Sequence, residues 1–133
     1  MSAVSIFLLT ACSAQKDVAD PSADQEKAAE LAYIDIRDGK YDEFLSHLDP
    51  KLQTYFQENT KLMKSFSRDI PQGEYKSKNL MVKHFSEASD KPSEYKLSYE
   101  IAYPDNLVQY DVSFDRPSGS DKIQDLNIRV FGK

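Results

Sequence analysis

The sequence predicts an α+β fold, three N-terminal helices packed on a curved antiparallel sheet of about four strands. Three observations predict it. Apolar residues recur at helical spacing from Ala28 to Phe66, and the period changes to two after Gly73. Turn-forming clusters then separate the alternating runs. Helices first and a meander of strands afterwards is the chain order of an α+β domain. A length of 133 residues suits one such domain.

Ser22, with Gln25 three residues on, forms a capping box just after Pro21. Ala28, Ala29, Leu31, Ala32, Tyr33 and Ile36 give the first helix a wide apolar face, and Gly39 stops it. Tyr41, Phe44, Leu45 and Leu48 repeat at i, i+3, i+4 and i+7, a short second helix. Asp49-Pro50 supplies an N-cap followed by proline at the first helical position. The third helix so opened presents Leu52, Tyr55, Phe56, Asn59, Leu62 or Met63, and Phe66. Pro71 and Gly73 end the helical half.

An irregular first strand is expected over about 74–85. Tyr95, Leu97, Tyr99, Ile101 and Tyr103 then alternate with polar residues. Pro104-Asp105-Asn106 turns the chain, and Val108, Tyr110, Val112 and Phe114 alternate in their turn, so the two segments pair as a hairpin. After Arg116-Pro117-Ser118-Gly119-Ser120, a last strand carries Leu126, Ile128 and Val130 on one face.

Composition narrows the function classes. The 40 % hydrophobic and 29 % charged residues describe a globular chain rather than a disordered one. A net charge of −5 has the wrong sign for a nucleic-acid partner. One cysteine excludes an internal disulfide and a zinc site built on several thiolates. No apolar run reaches the 18 residues of a spanning helix.

Residues 3–11 are nonetheless mostly apolar, the length of a signal-peptide core. They end in Leu9-Thr10-Ala11-Cys12, which holds the chain's one cysteine. This resembles the lipobox of bacterial lipoproteins, a branched apolar residue and two small residues before the cysteine. The resemblance implies cleavage before Cys12 and lipid on its sulfur. Met1-Ser2 departs from the pattern in carrying no positive charge. Ser13 follows the cysteine, which by the family's sorting rule implies the outer membrane, facing the periplasm. Residues 1–11 are then the signal peptide, 12–21 the lipidated cysteine and a flexible tether of roughly 30 Å, and 22–133 the folded domain.

The element order, with Arg37-Asp38-Gly39-Lys40-Tyr41-Asp42-Glu43-Phe44 and Leu48-Asp49-Pro50, resembles the nuclear transport factor 2-like superfamily. Ketosteroid isomerase and the polyketide cyclases share that cone; a cystatin-like sheet is the competing architecture. Enzymes of the superfamily place an acid or base in an apolar pocket. With Tyr95–Tyr103 and Val108–Phe114 facing inward, Glu100, Gln109, Asp111, Asp125, Asn127 and Arg129 face outward, which leaves three strands without an inward acid or base.

On the first strand, Lys78 and His84 share parity with Leu80 and Val82. His84 is thereby the one catalytic candidate; His47 reads as a surface residue. No metal site and no cofactor are expected. Lys76, Lys78 and Lys83 form a basic edge that protects the strand from pairing. Tyr95, Tyr99, Tyr103 and Tyr110 form an aromatic stripe, read first as core and alternatively as the lining of an apolar ligand cavity.

The expected function is a non-catalytic, lipid-anchored binding module of the bacterial envelope, for a protein partner or a small apolar ligand, as monomer or homodimer. An immunity or inhibitor protein is one specific form of it. The alternative is a cone-pocket enzyme of isomerase, dehydratase or cyclase type.

Overall fold

The computed structural model describes residues 17–132. The signal-peptide and lipobox expectations, Cys12 included, lie outside the described residues.

Four helices come first: α1 Ala23–Arg37, α2 Tyr41–Ser46, α3 Pro50–Gln57 and α4 Thr60–Asp69. The capping box of α1 is closed in both directions, each backbone N–H meeting the other side chain at 3.1 Å. The helix ends at Gly39, whose φ of +74° lies in the left-handed region that a side chain disfavours. At the start of α3 the Asp49 carboxylate accepts from the Leu52 N–H at 2.9 Å.

Four helices correct the expected three, because the third is broken at Asn59. Its backbone leaves the helical region at φ −132° and ψ 57°. Its side-chain amide donates to the Tyr55 carbonyl at 2.7 Å. A short polar side chain that satisfies a backbone carbonyl competes with the next helical turn. Asn59 therefore separates two helices instead of joining their faces.

The strands are β1 Ser77–Ala88, β2 Lys91–Ala102, β3 Leu107–Phe114 and β4 Asp125–Phe131. They form one antiparallel meander in the order β1-β2-β3-β4, which leaves β1 and β4 as edges. In register, Tyr95 faces Phe114, Leu97 faces Val112, Tyr99 faces Tyr110 and Ile101 faces Val108. All eight are buried. The predicted alternation is found on β2, β3 and β4, and the first strand sits about three residues later than expected.

β1 also departs from simple alternation. A bulge between Leu80 and Val82 leaves Met81 without a register partner. One extra residue exchanges the two faces of everything beyond it. Lys78 and Leu80 thus share the inner face with Lys83 and Phe85, while Val82 and His84 are exposed. The assumed common face for Lys78 and His84 is corrected accordingly.

The helices cover the inner face of the sheet. Tyr33 of α1 lies 5.1 Å from Tyr110, ring to ring. The loop before β4 is fixed to the α2–α3 turn, where Ile123 donates to the His47 carbonyl and accepts from the Asp49 N–H, both at 2.9 Å. The folded unit also starts earlier than position 22. Val18 packs on the core, Pro21 is buried, the Ala19 carbonyl accepts from Tyr95, and Asp20 pairs with Lys83 at 2.7 Å. The last residues of the expected tether are therefore part of the domain.

Candidate functional site

The inner face was read first as core and alternatively as an apolar ligand cavity, and tyrosines fill it. The hydroxyls of Tyr33 and Tyr103 meet at 2.8 Å. Tyr110 donates to the Ala29 carbonyl of α1 at 2.7 Å, and its ring stacks on Tyr99 at 6.1 Å. Tyr95 donates to Ala19 at 2.5 Å and meets Phe85 edge-on. The Lys78 ammonium sits 5.4 Å above the Tyr99 ring and 4.0 Å from Glu30, which closes the side of the cluster. The space left among Ala29, Tyr33, Tyr99 and Tyr110 is about 10 Å³, at most the room of one water. Tyr95, Tyr99, Tyr103 and Tyr110 pack in the core here, and Tyr99 also borders an outer opening of about 370 Å³ with Glu26, Lys27 and Glu30.

Their environment is correspondingly dry. Burial, helped by the Asp20 and Glu26 carboxylates, pushes the Tyr95 hydroxyl up to about 12. Burial raises Tyr99 and Tyr110 above the ordinary tyrosine value, and burial together with the Tyr103 hydroxyl raises Tyr33. The buried polar side chains among the described residues are Gln25 and Ser113. Neither is an acid or base.

Gln25 has a role that the capping motif alone did not reveal. Its carboxamide is fully buried and makes four hydrogen bonds. The oxygen accepts from the Ser22 and Ser118 N–H groups; the nitrogen donates to the Arg116 and Ser120 carbonyls. One side chain thus caps α1 and fixes the β3–β4 loop.

The two histidines are not brought together. His47, read as a surface residue, is half-buried and pairs with Asp35 of α1 at 3.0 Å. His84 lies exposed on the opposite face of the sheet, in register with Lys96. Among the described residues no group of His, Cys, Asp or Glu is arranged to hold a metal ion. No described helix is long and apolar enough to cross a membrane.

Open space lies instead on the outside. A groove of about 600 Å³ runs from α3–α4 over β4 and β3 to Lys96 of β2. Leu52, Tyr55, Leu62, Phe66 and Leu126 form its apolar side; Lys51, Lys96, Asp111 and Asp125 bring charge of both signs to its rim. Tyr55 stands 50 % exposed, braced edge-on against Phe56. Leu62 packs partly against the core, while Tyr55 points into the open beside buried Phe56. The asparagine within an otherwise apolar stripe was the one sequence signal for the helix break. Such an arrangement can grip a surface of mixed polarity.

No protein-family model, no curated protein and no solved structure matches this chain.

Proposed function

We propose that the protein is a lipid-anchored module of the bacterial envelope that binds a protein partner through the groove between α3–α4 and β4. The observation that carries the binding half is the contrast between a filled interior and an open exterior: about 10 Å³ among the tyrosines against about 600 Å³ beside β4. Small-molecule sites enclose most of their ligand's surface. This groove is open and carries an exposed aromatic with charges around it, the composition of a protein contact. The anchoring half rests on Cys12 following Leu9-Thr10-Ala11 at the end of an apolar run. The outer membrane, facing the periplasm, is the proposed address.

For the fold we propose a nuclear transport factor 2-like cone. Helices ahead of an antiparallel meander, with α1 seated on the aromatic face of the sheet, support that reading over a cystatin-like one. An immunity or inhibitor protein remains the specific form that a tight one-to-one complex would favour.

A photo-crosslinking amino acid at position 55, in intact cells, tests the groove. The expected result is one discrete adduct that disappears when Leu62→Asp is added and that does not form from position 31. Adducts indifferent to Leu62→Asp, or a small apolar molecule co-purifying with the protein in place of any adduct, overturn the reading.

A further inference from the structure

We infer that the bulged β1 edge, with Met81 and Val82, lies against the surface of the phospholipid bilayer. The inference rests on the proposed lipid on Cys12 and adds to it an orientation.

The first part of the argument is where the chain joins the domain. Ala19 is held by Tyr95, and Asp20 by Lys83 of β1. Lys83 stands two residues along β1 from Met81, roughly 7 Å in an extended strand. Met81 and Val82 are 59 % and 50 % exposed, two adjacent apolar side chains; among the described residues the other large apolar side chains in the open are Leu31, Tyr55, Leu107 and Phe131. The bulge leaves Met81 outside the ladder and turns Val82 away from the core.

The second part is chain length. Cys12 precedes Ala19 by seven residues, which span at most about 25 Å when fully extended. A domain of this size has a radius of gyration near 13 Å and is about 35 Å across. The link is thus shorter than the body it holds. It can reach from the bilayer to the side where Ala19 is fixed, but it cannot pass around the domain to present the opposite side. β4 is three strands from β1 across the sheet. The β1 edge, beside the attachment, is within that reach and meets the lipid.

The test uses the full lipidated protein in vesicles of phosphatidylethanolamine and phosphatidylglycerol, with Cys12 occupied by lipid. Met81→Cys and Tyr55→Cys each take an environment-sensitive fluorophore; both positions are exposed, so the fold tolerates the label. The vesicles carry a spin-labelled phospholipid quencher. Blue-shifted, quenched emission from position 81 with unshifted, unquenched emission from position 55 is the expected result. Equal quenching at both positions, or none at 81, overturns the orientation while leaving the anchor standing. A protein that washes off the vesicles and carries no lipid by intact mass overturns the anchor and the orientation with it.

Discussion

The Tyr95 hydroxyl donates to the Ala19 carbonyl at 2.5 Å, joining the middle of the sheet to the segment ahead of the first helix. Removing that hydroxyl leaves a carbonyl that turns to water and frees the segment. Tyr95→Phe should lower stability by about 1 kcal/mol, the net worth of one hydrogen bond. Urea denaturation measures the loss. Limited proteolysis ahead of Ser22 should accelerate at the same time; cleavage at the wild-type rate means that the contact does not hold the segment.

Tyr33 and Tyr103 share a buried hydroxyl pair at 2.8 Å. Each single phenylalanine variant strands the other hydroxyl, at about 1–2 kcal/mol, whereas the double variant removes both needs at once. The expected outcome is a double variant little worse than either single, with a coupling of about 1 kcal/mol. Additive losses contradict the pair.

The interior tyrosines make the fold sensitive to alkali. The folded pKa values of Tyr33, Tyr95, Tyr99 and Tyr110 lie above the ordinary value of 10.0, with Tyr95 at about 12. The folded state then holds its phenolic protons more tightly than the unfolded chain does. Stability from this source is fully present below pH 10 and is lost as the pH rises from there through 12 and beyond. Tyrosinate absorbance from these residues should appear together with the loss of circular dichroism. Smooth titration near pH 10, with the fold intact, would show that they are solvated.

Gln25 is the most demanding single position. Gln25→Ala leaves the Arg116 and Ser120 carbonyls and the Ser118 N–H without their partner. A loss of about 3 kcal/mol is expected from several unsatisfied groups. Ser22→Ala, which removes only the cap, should cost about 1 kcal/mol. Equal losses in urea denaturation would reduce Gln25 to a capping residue.

Much of this architecture could be read from residue order. The alternation Tyr95 to Tyr103 and Val108 to Phe114 shows directly in the buried pairs, because a half-buried strand must repeat every two residues. Ser22 and Gln25 announced their cap for an equally local reason. What escaped was non-local or a matter of one residue. Asn59 broke a helix whose apolar period ran on through it, and Met81 reversed the facing of Val82 and His84 by stepping out of the ladder. The loop held by Gln25 lies more than 90 residues downstream, where no periodicity points back to it. The groove was illegible too: Tyr55 fits the apolar period of a core stripe, yet stands in the open.

The account depends most on the lone cysteine. Cells fed an alkyne-tagged palmitate, followed by intact-mass analysis of the purified protein, test it directly. The predicted result is a chain that begins at Cys12 and carries the tagged acyl chains, with no label in Cys12→Ala. An unlabelled wild-type protein, or equal label in the Cys12→Ala variant, contradicts it.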